Sequence, residues 1–158
     1  VDTTLLDLGQ LAQLLVLNTS YPAHSLDRLW YLHSWNEAAI TLFEVQEEVK
    51  MGGQTHLLDV VFGAHGRRSF HGWENLARRL VSDFQYNTRT LRIASATYPE
   101  GKPAPSFIFH VQHSQLGRLA LRTATTIFTG MSSYSMVSYV PGDQHTLEIY
   151  RKYLWQPK

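Results

Sequence analysis

Hydrophobic positions follow two different periods along this chain, helical in its first half and alternating in its second. From Leu5 to Leu17, Leu5, Leu8, Leu11, Ala12 and Leu15 recur at helical spacing, and Leu6, Leu14 and Leu17 widen the apolar face. This predicts a helix buried on much of its surface, ended by the segment from Asn18 to Ser25 with its Pro22. A second helical run is predicted from Ser25-Leu26. Ser34-Trp35-Asn36-Glu37 has the Ser-x-x-Glu spacing of a capping box, so a helix start or a bend is placed at Ser34. That helix is expected to reach about Lys50, with Trp35, Ala39, Leu42 and Val49 along one side and Glu44, Glu47 and Glu48 in solvent. Gly52-Gly53 supplies its stop.

A short apolar strand is predicted next, from His56 to Phe62, then a turn at Gly63-Ala64-His65-Gly66. From about Gly72 to Phe84, Trp73, Leu76, Ala77, Leu80, Val81 and Phe84 share one side of a helix, opposite Arg78, Arg79, Ser82 and Asp83. From Thr90 onward the period is two. Leu91, Ile93, Ser95 and Thr97 alternate with Arg92, Ala94, Ala96 and Tyr98. A proline-rich connection, 99–105, leads to Ser106–His113, Arg118–Phe128, Tyr134–Val140 and a final strand His145–Trp155, joined by short turns. Such strands predict a curved antiparallel sheet. The fold class expected is α+β: a cone-shaped curved antiparallel sheet wrapped around N-terminal helices, a cystatin-like α+β barrel, as a single domain over 1–158.

Composition narrows the functional classes. The chain has 158 residues, is 44% hydrophobic and only 17% charged, which fits one compact core and argues against disorder. Its net charge of +1 gives no general attraction to nucleic acid or to an anionic membrane, and neither is expected as a partner. There is no cysteine, which excludes disulfides and thiolate metal sites and weakly favours a cytoplasmic location. No apolar run reaches bilayer length, and Val1-Asp2-Thr3-Thr4 has no basic region of a signal peptide. Asn18-Thr19-Ser20 matches a glycosylation sequon, a triplet common by chance.

Two stretches carry a family resemblance. Phe70-His71-Gly72-Trp73-Glu74-Asn75-Leu76 is similar to the opening of the third helix in the nuclear transport factor 2-like superfamily, which includes ketosteroid isomerase, scytalone dehydratase and SnoaL-type cyclases. Val140-Pro141-Gly142-Asp143-Gln144-His145-Thr146-Leu147-Glu148-Ile149-Tyr150-Arg151 resembles that superfamily's closing hairpin. The family often has tryptophan where Leu147 stands, and the segment between Phe43 and Gly72 is long for the group. The resemblance implies a conical barrel with an apolar pocket between sheet and helices, and frequent homodimers.

Within that frame, a few residues are candidates for chemistry. Asp59 lies inside an apolar strand, with Leu57 and Val61 on its face; burial would raise its pKa and suit it to proton transfer. The other reading is an acid at a strand end, or one bonded to a backbone amide or an arginine. His110 and His113 alternate onto opposite faces of one strand, so one of them at most lines a pocket; the other reading for each is a satisfied histidine on the sheet surface. Tyr31, if its helix lines the mouth, would donate a hydrogen bond to an enolate oxygen, as the resemblance suggests; otherwise it packs with Trp30 and Trp35. His56, His65 and His71 lack metal-ligand spacing, so no metal is expected.

The expected function is a cofactor-independent enzyme that isomerises, dehydrates or cyclises a hydrophobic small molecule. Asp59 or His110 is its base and Tyr31 its oxyanion donor. Trp30, Trp35, Phe62, Trp73, Phe107, Phe109 and Ile127 are its apolar walls. The alternative is a non-catalytic ligand-binding or dimerisation module, with Tyr134, Tyr139, Tyr150, Tyr153 and Trp155 exposed at an interface.

Overall fold

A computed structural model describes residues 1–44, 55–57, 70–72, 74–76, 78–79, 108–128 and 134–155. Helix α1, Leu8–Asn18, begins on a reciprocal cap. The Asp7 carboxylate accepts from the Gln10 amide at 2.8 Å, and the Gln10 side chain accepts from the Asp7 amide at 2.9 Å. The buried face of α1 is Gly9, Ala12 and Val16, not the leucines. The reason is close approach: a Cβ on Gly9 would lie 3.2 Å from the Tyr134 hydroxyl and 3.3 Å from His33 Nε2. Small residues therefore seat the helix on the sheet. Leu5, Leu6, Leu11, Leu14, Leu15 and Leu17 are left in solvent, against the expectation of a largely buried helix.

The second predicted helical run is instead two strands, β1 (Ala23–Leu26) and β2 (Leu32–Trp35). They are antiparallel, with His24 opposite Trp35 and a bulge at Ser25/Leu26. The connecting turn is built by Asp27, whose carboxylate accepts from the amides of Leu29 and Tyr31 at 2.8 and 3.0 Å. Helix α2, Glu37–Phe43, is capped two residues beyond the expected position, at Asn36 rather than Ser34. Asn36 caps it, accepting from the Ala39 amide at 2.9 Å, while Ser34 stays in β2. The helix ends at Glu44, in the left-handed region at φ 49°; the expected run to Lys50 lies outside the described residues.

Phe70–His71 forms the short strand β3, and residues 74–76 and 78–79 are helical, as the amphipathic pattern predicts for that stretch. The Leu76 amide donates to the Gly72 carbonyl at 3.2 Å. The predicted strand at 90–98 and the proline-rich connection lie outside the described residues. Strands β4 (Ile108–His113), β5 (Gly117–Phe128) and β6 (Tyr134–Pro141) fall where alternation puts them. Gly117, at φ +80°, makes the β4–β5 turn with a backbone that L-residues avoid.

The last predicted strand is not a strand. Asp143 caps helix α3, Gln144–Ile149, by accepting from the Thr146 amide at 2.8 Å, and the chain continues as a π-helical turn, Tyr150–Leu154. Thr146, Ile149, Tyr150 and Leu154 share a helical spacing that the β-branched residues masked.

The six described strands join one antiparallel sheet in the order β2-β1-β6-β5-β4-β3. The C-terminal strand β6 is thus inserted between β1 and β5, with Val137 opposite both His24 and Thr125. The α+β class holds, but the cone wrapped around N-terminal helices does not. Helix α1 packs on β1, β2 and β6 on the back of the sheet, the side of Ser25 and Ser138. The core lies on the opposite face, where Phe109, Val111, Leu119, Leu121 and Tyr139 meet Leu42, Leu76 and Tyr150.

Candidate functional site

Strand β1 is buried along its whole length although it carries His24 and Ser25. It lies between β2 and β6, with α1 against one face and the core on the other. On the core side, alternation turns His24 inward to meet Tyr139 of β6 and Trp35 of β2. His24 Nε2 is 2.7 Å from the Tyr139 hydroxyl. The imidazole centroid is 5.2 Å from the Trp35 ring and 5.4 Å from the Tyr139 ring. Tyr139 in turn meets Phe43 of α2 edge-on at 4.6 Å and Phe109 of β4 at 6.1 Å. Three aromatic rings, from two strands and one helix, thereby surround one polar pair.

The electrostatics of that pair are set by burial. Loss of water holds His24 in its neutral form, with a pKa lowered from 6.5 to about 3. The same loss raises the Tyr139 phenol well above its ordinary value, so it stays protonated. Tyr150 is raised too, by burial and by the neighbouring Tyr139 and Tyr21; its hydroxyl donates to the Tyr139 carbonyl at 2.9 Å.

The sequence candidates distribute unevenly around this centre. Trp35 and Phe109, expected as apolar walls, belong to the aromatic cluster. Tyr31 and Trp30 lie in the turn between β1 and β2 rather than on a helix. There Tyr31 bridges His56 and meets its ring edge-on at 5.0 Å, and Trp30 adopts φ 67°. His110 pairs with Ala120 and His71 in the sheet and alternates to the face opposite Phe109 and Val111. His113 is buried on the core side. Its Nδ1 accepts from the Gln115 and Leu116 amides, so its proton sits on Nε2, which donates to the Thr41 carbonyl at 2.9 Å. That histidine bolts the β4–β5 turn to α2. Asp59, Phe62, Trp73 and Phe107 lie outside the described residues, and Ile127 is described only by its pairing with Ser135. The expected aromatic interface is corrected in part: Tyr139 and Tyr150 are buried, whereas Tyr153 is 54% exposed.

His24 was missed by sequence reasoning, and so was the inward role of Tyr139. The uncharged run Pro22-Ala23-His24-Ser25-Leu26 was the available clue to a buried strand. Its partner lies 115 residues away, beyond the reach of any local pattern. Among the described residues no three histidines or acids gather at a metal-binding distance, and no described helix is long and apolar enough to cross a membrane.

Comparison with known proteins fits this architecture. The PAS domain of BvgS from Bordetella pertussis superimposes with a TM-score of 0.53 at 14% identity, covering 90% of this chain and 91% of that one. A PAS domain of a two-component sensor histidine kinase aligns with a TM-score of 0.41 at 17% identity, over 84% of this chain and 94% of that one. No curated protein matches the sequence. The family model for the MmyB-like transcription regulator ligand binding domain matches residues 9–91, just over half of the chain. This chain belongs to the MmyB-like transcription regulator ligand binding domain family. That finding overturns the resemblance to the nuclear transport factor 2-like superfamily, which rested on a glycine-led helix and a closing hairpin. The hairpin is absent: its second arm is α3. The isomerase, dehydratase or cyclase reading falls with the resemblance, and the non-catalytic alternative is the one favoured.

Proposed function

We propose that this chain is a non-catalytic ligand-sensing domain of a transcription regulator. Its ligand is a hydrophobic small molecule held against the core face of the sheet. Family membership across residues 9–91 carries the reading. The aromatic cluster of His24, Trp35, Phe43, Phe109 and Tyr139 supports it, because ligand sites pair apolar and aromatic walls with few polar groups. Trp35 keeps the wall role expected of it, while Phe109 sits behind Tyr139 in the core; Trp30, Phe62, Trp73, Phe107 and Ile127 remain candidates for the same wall. Asp59 and Tyr31 become candidates for polar contacts with the ligand, whereas His110 alternates to the other face of the sheet and is not one.

The test is binding without turnover. The purified protein is analysed by native mass spectrometry for a retained small molecule, then screened by thermal shift against a panel of apolar compounds. A compound that binds and is recovered unchanged supports the reading. A panel in which nothing binds, or a compound converted at a catalytic rate, overturns it.

The expected homodimer is proposed at a new surface. Helix α1 carries no charged residue between Leu8 and Asn18, and Leu11, Leu14 and Leu15 face away from the sheet. A second copy of α1 would cover them without like-charge repulsion. Light scattering should report a dimer that Leu11→Glu with Leu15→Glu converts to monomer with unchanged secondary structure. A monomeric wild-type protein would remove this proposal.

A further inference from the structure

His24 contains an unused hydrogen-bonding atom. Its ring is fully buried, Nε2 is taken by the Tyr139 hydroxyl, and Nδ1 has no partner among the described residues. A buried polar atom without a partner forfeits its hydration and gains nothing in return, so such atoms are rare and each calls for a physical explanation.

The direction of the His24–Tyr139 bond decides what Nδ1 offers. Suppose Nε2 carried the proton and donated to the phenol. The phenol's own proton would then be left over, and the bare Nδ1 lone pair as well. If the phenol donates to Nε2 instead, one group alone is left over, the Nδ1–H. The second arrangement costs less, and neutral imidazole has a single N–H to place. Nδ1 is therefore a donor in search of an acceptor.

The surroundings restrict that acceptor. The buried polar residues described are His24, Ser25, Asn36, His113, Ser138 and Thr146, with no lysine or arginine among them. Among the described residues no buried cation would pair with an anionic head group there, and burying it unpaired would cost several kcal/mol. The walls are aromatic, and Trp35 and Phe43 among them are only partly buried.

We propose that His24 Nδ1–H is the polar anchor of the ligand site and selects an uncharged aromatic or alicyclic molecule bearing one neutral acceptor, such as a ketone, ester or amide oxygen. This rests on the ligand-sensing reading and makes it specific. Discrimination comes from the hydrogen bond, and affinity comes from the rings.

Three matched probes test it: 2-acetylnaphthalene, 2-ethylnaphthalene and 2-naphthoate. Calorimetric titration of the wild-type protein should rank the ketone about three- to tenfold above the hydrocarbon, the worth of one net hydrogen bond. The carboxylate should bind more weakly than either. His24→Phe should erase the preference for the ketone over the hydrocarbon. Independently of any variant, nitrogen-15 correlation spectra of the imidazole should show the His24 proton on Nδ1, with that resonance moving when the ketone is added. A proton on Nε2 overturns the proposal, and so does equal affinity for ketone and hydrocarbon; in both cases the ligand-sensing reading stands. Absence of binding by all three probes, with retained ligand found by mass spectrometry, also overturns the anchor alone. Absence of any ligand in either experiment overturns both.

Discussion

Asn36 shows how much of this architecture rests on single side chains. Its carbonyl oxygen accepts from the Ala23 amide at 3.1 Å and the Ala39 amide at 2.9 Å. Its amide nitrogen donates to the carbonyls of Val16, Thr19 and Tyr21 at 3.1, 3.4 and 2.7 Å. One buried residue thus ends α1, starts β1 and caps α2. Asn36→Ala strands several buried backbone groups at once, and a loss of about 2–4 kcal/mol is expected, read as a lower urea midpoint at unchanged m. Asn36→Asp keeps the acceptor but points a carboxylate at three carbonyls, so it should not rescue. His24 makes a second prediction at this scale. The unfolded chain binds a proton at His24 below its ordinary pKa of 6.5, whereas the folded chain refuses it down to about 3. Between those values the unfolded state holds more protons, so stability is full above 6.5 and falls as pH drops toward 3. The slope contributed by this one group approaches about 1.4 kcal/mol per pH unit. Denaturation midpoints measured from pH 7 to pH 4 should fall less steeply in His24→Phe; equal slopes would show that His24 titrates normally. Neither residue announced itself in the sequence. Asn36 lies inside the Ser34–Glu37 capping-box pattern, and His24 is a lone histidine in a short run.

At the scale of elements, legibility followed the strength of the local pattern. β4, β5 and β6 alternate over 6, 12 and 8 residues and were read close to their true bounds. β1 and β2 have four residues each, too few to show a period, and β1 is buried on both faces. The final helix was misread because Thr146, Ile149 and Tyr150 are strand-formers by propensity, while capping and packing decide the outcome. Its first turn completes the sheet. Where β6 ends, the Gly142 amide donates to the Ala120 carbonyl at 2.7 Å, and Thr146 Oγ1 accepts from the Ala120 amide at 2.9 Å. Thr146→Val keeps shape and volume but leaves the Ala120 amide buried without an acceptor. A cost of about 1–3 kcal/mol is expected. Thr146→Ser, which restores the hydroxyl, should recover most of it. Amide exchange at Ala120 should quicken in the valine variant and not in the serine variant.

The whole molecule differs from the cone in one long-range fact. β6 pairs with β1 across more than a hundred residues, so strand order could not be read from segments each judged alone. That same pairing brings His24 to Tyr139 and makes the aromatic site a property of the complete sheet. It also yields a test that separates the ligand wall from the folding core. Phe109 is buried among Val111, Leu119, Leu121 and Tyr139, so Phe109→Ala opens a cavity and should cost about 3–5 kcal/mol of stability. Phe43 and Trp35 are partly in water, and removing either ring should cost about 1 kcal/mol or little more. If these two rings line the ligand, Phe43→Ala and Trp35→Ala lose affinity out of proportion to stability, by about tenfold each. A bound ligand at a hundred times its Kd adds about 2.7 kcal/mol to the folded state. Melting the three variants with and without a saturating naphthyl ketone therefore distinguishes the roles. Phe109→Ala should melt low but keep its ligand-induced shift. Phe43→Ala and Trp35→Ala should melt near wild type with a diminished shift. A full shift in both of the latter would place the ligand elsewhere than the cluster around Tyr139.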